Sequence, residues 1–278
     1  MQQIHRSLRF LTSAFPHGAY QSGEQNRPEL RAPSVKGQLR WWFGALFNDE
    51  QEENRLFGGI QKELTSSRVV VRVSELSPVR TTPSAFMPHK GHQGGRKNAI
   101  VAGTSFDIRL IVRRGEVSPE QFNKLEKTMD AWLLFGSVGQ RANRAAGSVW
   151  PENAPQNKEA YQTLANQLLG RTKLRCAVLE EHFGGDEAKL RAVAGDFLAD
   201  RAFDRCNRPF GSAKPRKPSL LRLKAASFEG KLHLVALWDG RFQQSAHNLR
   251  EGIRILADQR KEIGRRLSAV QESLCRNL

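Results

Sequence analysis

From Ile4 to Phe15 the apolar positions recur with a period of two, Leu8, Phe10 and Ala14 sharing one parity, and this predicts a strand. Residues Pro16 to Pro33 are rich in Gly, Gln, Asn and Pro and predict a long loop. The period then changes. Val35, Leu39, Trp42 and Leu46 fall on one helical face, which predicts a helix from Val35 to Phe47 with Ser34 as its N-cap. An acidic run from Asp49 to Glu53 reads as a solvated face, and Leu56-Phe57-Gly58-Gly59 closes the unit. Arg68 to Val73 is a short β-branched strand, Pro78 to Ala99 a second loop, and Ile100 to Arg113 another strand. Ser118-Pro119-Glu120 opens a helix that runs to Phe135, with proline at its first position. Gly136 to Gly147 is a glycine-bearing basic connection, and Ser148 to Trp150 a last strand.

The predicted order is strand, helix, strand, strand, helix, strand, the split βαβ arrangement that ferredoxin-like domains share with RNA recognition motifs. A break falls between Pro151 and Asn157. Beyond it the pattern predicts helices at Lys158–Leu169 and Asp186–Phe203, strands at Leu220–Phe228 and Lys231–Trp238, and a basic helix at Asn248–Leu267. The expected fold class is α+β, with two ferredoxin-like (RRM-like) domains over residues 1–152 and 153–278, the second a degenerate copy of the first.

Charge narrows the function. Lys and Arg number 44 against 28 Asp and Glu, a formal net charge of +16 in 278 residues. Such an excess attracts polyanions, and nucleic acid is the usual one, because each neutralised phosphate releases counterions. The three cysteines, Cys176, Cys206 and Cys275, lie far apart and in odd number, which indicates neither a disulfide framework nor a zinc site and points to a reduced, cytoplasmic protein. The first residues lack the apolar core of a signal peptide, and no stretch approaches a membrane span, so no membrane association is expected.

Four segments could carry chemistry. Glu29 to Trp42 places Arg31, Ser34, Lys36, Gly37 and Arg40 at a helix start, where free N–H groups, two cations one turn apart and a glycine could seat a phosphate. Trp41, on the exposed side, could stack a base or cover a partner. Gly136 to Gly147 combines Gly136, Gly139 and Gly147 with Gln140, Arg141, Asn143 and Arg144, suited to a loop that wraps a phosphate backbone. It lacks the ending of a P-loop. Met87 to Asn98 reads as a mobile basic finger led by Arg96 and Lys97. Its His89 and His92 have no acidic or thiol neighbour to complete a metal site. Arg205 to Arg222 is a basic turn that includes Arg216 and Lys217. No local motif of catalytic residues appears, and no cofactor is indicated.

At Leu8-Arg9-Phe10-Leu11-Thr12, Glu29 to Trp42, Leu56-Phe57-Gly58-Gly59 and Gly136 to Gly147, the chain resembles the RAMP superfamily (repeat-associated mysterious proteins) of CRISPR-Cas systems. Within it, the likeness is greatest to the first subunits of Cmr, or type III-B, effector complexes. Arg216-Lys217-Pro218-Ser219-Leu220 resembles a second-domain signature. The resemblance implies a double ferredoxin-like fold at the end of a filament of related RAMP subunits. It implies contact with CRISPR guide RNA and target RNA near the 3′ side of the guide, and no catalysis by this subunit. Two other readings are open: a metal-independent RAMP endoribonuclease that processes CRISPR precursor RNA, with His5, His17, His89 and His92 moving protons at a 2′-OH, and a stand-alone RNA-recognition module.

Overall fold

The computed structural model describes residues 2–18, 27–60, 64–76, 78–112, 116–199, 211–213, 215–217 and 219–239. Its first half runs β1 (Gln2–Phe10), α1 (Ala32–Phe47), α2 (Glu50–Phe57), β2 (Gly59–Ile60), β3 (Leu64–Thr65), β4 (Val69–Glu75), β5 (Thr81–Ala85), β6 (Arg96–Ile100), β7 (Ser105–Val112), α3 (Pro119–Phe135) and β8 (Val149–Pro151). The long strands form one antiparallel sheet in the order β4-β7-β1-β8. The second half runs α4 (Lys158–Leu169), β9 (Leu174–His182), α5 (Glu187–Ala199), β10 (Ser212–Ala213), β11 (Arg216–Lys217), β12 (Leu221–Phe228) and β13 (Lys231–Asp239), with a three-stranded sheet β12-β13-β9. The whole is a mixed α+β fold.

Alternation drives β1 as expected: Ile4, Leu8 and Phe10 are buried while the other residues of the strand are not. In α1 the buried stripe is Val35, Leu39, Trp42, Phe43 and Ala45, and Leu46 is only half-buried. Ser34 is not the N-cap. The helix starts at Ala32, and the capping residue Arg31 makes no side-chain cap bond. Pro33 explains the earlier start: its fixed φ and missing N–H suit the first turn, so Ser34 already lies inside the helix. α3 begins as predicted, with Ser118 and Gln121 forming a reciprocal capping box.

Three expectations fail for physical reasons. The acidic run caps and opens α2, and only Asp49, Glu50 and Gln51 of it form an exposed face. Asp49 caps it by accepting from the Glu52 N–H, Glu52 pairs with Lys124 of α3 at 2.6 Å, and Glu53 pairs with Arg40 of α1 at 2.7 Å. The loop before residue 100 is the ordered hairpin β5–β6, its tip a 3-10 turn from Pro88 to Gly94. The strand expected from Ile100 to Arg113 breaks at Val101–Thr104, where Gly103 takes a φ of +85°. β9 was not foreseen. The predicted helix at Asn248–Leu267, Cys206, Cys275, Arg205 to Phe210 and the last residues of the helix predicted to Phe203 lie outside the described residues.

One continuous core joins the two sheets. Trp42, Trp132, Trp150 and Trp238 are all fully buried. Trp150 of β8 stacks on Tyr161 of α4, and both rings meet Phe228 of β12, so apolar contact fixes the second half against the first. No described helix is long and apolar enough to cross a membrane.

Candidate nucleic-acid interface

Residues 136–147 leave α3 and plug the junction between the halves. Gly139 has a φ of +93°, and a Cβ there would lie 2.6–2.7 Å from the Phe15 carbonyl and the Pro16 nitrogen. Gly136 and Gly147 are likewise closed in, by Trp132 and by the Val138 carbonyl. The glycines of this loop therefore serve its own packing, not close approach by a nucleic-acid backbone. Hydrogen bonds lock it further. Thr12 Oγ1 donates to the Ala145 carbonyl at 2.6 Å, the Ala145 N–H to the Leu223 carbonyl at 2.8 Å, and the Leu223 N–H to the Asn143 carbonyl at 3.1 Å. Arg141 is held at a φ of +62°, left-handed for a residue with a side chain.

This rigid plug sets out cations. Lys97 of β6 donates to Gln140 Oε1 at 3.1 Å and stands 4.6 Å from the centre of the Phe86 ring. The Arg141 guanidinium lies 5.7 Å from the same ring. Arg141 and Arg144 are half-buried, and neither makes a hydrogen bond or ion pair with a carboxylate among the described residues. Burial, with Arg144 and Arg191 close by, lowers Arg141 to about 10, and burial lowers Arg144 as well. His89 is pushed below the ordinary imidazole value by burial first and then by Arg141, with Asp196 acting the other way. Both guanidiniums stay charged at neutral pH. Two partly desolvated cations without counter-charge are unfavourable alone and complementary to an anion.

The hairpin is fixed rather than mobile. Arg191 of α5, 2% exposed, donates to the Ala85 carbonyl at 2.7 Å and Ser84 Oγ at 3.0 Å while paired with Glu187 at 2.6 Å. His89 packs on Gly195 of α5, where any Cβ would meet the imidazole. Arg96 donates to the Pro83 carbonyl at 2.6 Å within the hairpin.

A cleft of about 140 Å³ opens beside the plug, lined by Gln38, Ser137, Asn143, Arg222 and Lys224 among others, with no carboxylate. Lys224 is 2% exposed; its Nζ donates to the Leu133 carbonyl at 2.7 Å and lies 5.4 Å from the Trp150 ring centre. Burial holds its amine well below the usual lysine value. The Arg222 guanidinium lies over Trp41, 3.7 Å from the ring centre, so that face of the indole is already covered.

The helix motif divides. Gln38 lines the cleft, but Lys36 and Arg40 each lie about 200° round the helix from it, at 100° per residue, and share no groove with the plug. Arg40 is spent within the chain: Nε donates to Glu53 at 2.7 Å, Nη1 to the Gly58 carbonyl at 2.9 Å and Nη2 to Asn54 Oδ1 at 2.5 Å. Lys36 is half-buried and lowered by burial, then by Arg40. Arg31 pairs with Glu29 at 3.3 Å, and Ser34 sits within the first turn. Gly37 is exposed with nothing near its Cβ position. Arg216 and Lys217 form β11, paired with β10; their side chains lie outside the description.

The structure thus gathers Lys97, Gln140, Arg141 and Arg144, and a neighbouring cleft that holds Asn143. Phe86 and Lys224 lie outside the four candidate segments, and Arg222 is only the last residue of the fourth. Arg222 and Lys224 sit at the polar positions of an alternating strand, which read as solvent-facing. The available signal was β13, apolar at nearly every position, which marks a sheet buried on both faces.

The RAMP superfamily model matches residues 7–150. The CRISPR system Cmr subunit Cmr1-1 of Pyrococcus furiosus is 32% identical over 149 aligned positions, covering 44% of this chain and only 40% of that relative. The crystal structure of Cmr1 from Pyrococcus furiosus, apo form, is similar with a TM-score of 0.55 at 19% identity, covering 86% of this chain and 88% of that one. A chain of the type III-B Cmr-beta bound to cognate target RNA and AMPPnP matches with a TM-score of 0.55 at 11% identity, over 91% of this chain and 98% of that one. At these identities the structural likenesses speak for the fold alone.

Proposed function

The chain belongs to the RAMP superfamily, and we propose that it is a non-catalytic RNA-binding subunit of a type III CRISPR-Cas ribonucleoprotein effector complex, working in the cytoplasm. In this reading it resembles the first Cmr subunit, packs against other RAMP subunits, and contacts guide RNA and target RNA near the 3′ side of the guide. Two ferredoxin-like domains, residues 1–152 and 153–278, form the platform. The strand orders support that division. Counted along the chain, the first sheet reads fourth, first, third, second, and the second sheet reads first, third, second. The second is the same pattern without its last strand.

The observation that carries the function is the pair of half-buried guanidiniums, Arg141 and Arg144, that stand beside Lys97 without a counter-charge among the described residues. Phosphates supply that charge, and arginine's fork grips them in pairs of hydrogen bonds. The test is Arg141→Gln with Arg144→Gln, with binding to single-stranded RNA measured by fluorescence anisotropy across salt concentrations. Loss of two phosphate contacts lowers the slope of log K against log salt by about 1.4. An unchanged slope assigns the loop to packing. Incubation with CRISPR repeat RNA checks the non-catalytic part: the RNA stays intact, whereas cleavage abolished by His89→Ala with His92→Ala would establish the nuclease instead.

A further inference from the structure

The first sheet has a second face, opposite in parity to the buried Ile4, Leu8 and Phe10. In antiparallel pairs, residues directly opposite share a face, with Cβ atoms about 4.5–5.5 Å apart. The register therefore fixes who stands beside whom. His5 of β1 faces Arg109 of β7, and Arg109 faces Arg72 of β4. One pair on, Ser7 faces Asp107, which faces Ser74. Arg9 faces Ser105 on one side and Trp150 on the other. His5, Arg9, Arg72 and Arg109 are all exposed.

Among the described residues three arginines and His5 thus share this face with two carboxylates, Asp107 and Glu152, the latter in register with Ser7. Asp107 is already engaged, accepting from Ser7 Oγ at 2.6 Å and lying 3.2 Å from His5 Nε2. Arg9 and Arg72 make no hydrogen bond or ion pair among the described residues. Like charges placed directly opposite in a sheet work against the fold; Asp107, close to Arg109 but shared with Ser7 and His5, offsets only part of the repulsion between Arg109 and Arg72.

We propose that this face binds the sugar–phosphate backbone of RNA, as a second contact surface separate from the cluster at residues 136–147; the inference rests on the RNA-binding reading above. Its chemistry favours RNA over an acidic protein. A protein interface needs a desolvated apolar centre rich in aromatics. Here the apolar residues stand at the two ends, Val70, 53% exposed, with the half-buried Ile111 at one and Leu76, 51% exposed, at the other, and the face between them is polar with a net positive charge, the composition of a nucleic-acid contact. It also favours backbone over base contacts. The aromatic in register, Trp150, is buried against Tyr161 and Phe228, and the one imidazole described on the face, His5, is held by Asp107 at 3.2 Å, so no Phe, Tyr or Trp ring among the described residues of the face is open to stack a base. Binding at this face is therefore indifferent to sequence.

The test uses the full chain, a labelled oligouridine RNA, and anisotropy titrations over a range of salt. Arg72→Gln with Arg109→Gln lowers the salt slope by about 1.4 and weakens binding at 0.1 M salt by roughly tenfold or more. The thermal midpoint stays within about 2 °C, because both side chains are exposed. Photo-crosslinking with iodouridine RNA labels peptides from Gln2–Phe10 or Val69–Glu75. An unchanged slope in this variant, alongside a reduced slope in the Arg141/Arg144 variant, overturns the second surface and leaves the first standing. Failure of the unmodified chain to bind oligouridine at low salt overturns both. Intact RNA binding with weakened capture of a poly-glutamate peptide assigns the face to an acidic protein and overturns the proposal.

Discussion

Two basic, glycine-bearing segments, Glu29 to Trp42 and Gly136 to Gly147, look alike in sequence and behave in opposite ways in the fold. In the helix, Arg40 meets Glu53, Asn54 and the Gly58 carbonyl, so its charge is consumed as a clip between α1 and α2. In the loop, Arg141 and Arg144 meet no carboxylate among the described residues. The glycines invert this. Those of the loop are enclosed by the chain's own backbone, whereas Gly37 of the helix faces open space. A cation's availability depends on whether a later element brings it an acid, and a glycine's purpose on whether anything approaches it. Neither can be read from composition.

The largest effect should come from Gly139→Ala. The substitution forces a side chain into a φ of +93° and drives its Cβ against the Phe15 carbonyl and Pro16 nitrogen, with backbone on both sides. Left-handed strain and overpacking together cost about 2–4 kcal/mol in stability, measured by urea unfolding. A change below about 0.5 kcal/mol would show that the loop is not the rigid plug described and would erase the contrast.

The next effect sharpens it. Arg40→Ala removes three hydrogen bonds, one of them to a carboxylate, and leaves Glu53 without its cation. The expected loss is about 1–3 kcal/mol of stability, with RNA affinity of the folded protein unchanged. Arg141→Gln with Arg144→Gln does the reverse, reducing affinity while the thermal midpoint holds or rises, because a desolvation penalty disappears. If Arg40→Ala reduced the salt slope as much as the loop variant, the division of labour between the two segments would be wrong.

Much of the first half was legible because its periodicities are long and its caps explicit. The helix at Pro119–Phe135 and the strands around it follow directly from pattern and from Ser118. What was illegible depended on tertiary partners. The run at Asp49–Glu53 looked solvated because its cations, Arg40 and Lys124, come from other helices. The hairpin over residues 81–100 looked like a finger because Arg191, which pins it, lies far along the chain. Within the candidate site, Arg141, Arg144 and Lys97 were visible as basic residues near glycines. Lys224 was not, because an alternating strand normally turns such a residue to water, whereas here its amine ends on the Leu133 carbonyl of α3 beside the Trp150 ring.

The smallest effect tests the other half of the contrast. Gly37 lies inside α1, where glycine lowers helix stability by about 1 kcal/mol relative to alanine. The loop glycines offset that kind of loss by fitting space that a methyl group cannot enter. Gly37 has no such reason in this chain, since an added Cβ meets nothing within 4 Å. Gly44, two turns on along nearly the same face, is different: a Cβ there would run into the Glu53 carboxylate that Arg40 holds. Gly37→Ala should therefore stabilise the isolated chain by about 1 kcal/mol, a rise of roughly 2 °C in thermal midpoint. Its effect on binding decides what the gap is for. If another backbone or a phosphate lies against α1 in the assembled complex, the added methyl weakens that contact while the free protein gains stability, and co-assembly falls as the midpoint rises. Equal assembly with a higher midpoint would leave the glycine without a role, and α1 would join the loop's glycines as scaffold only.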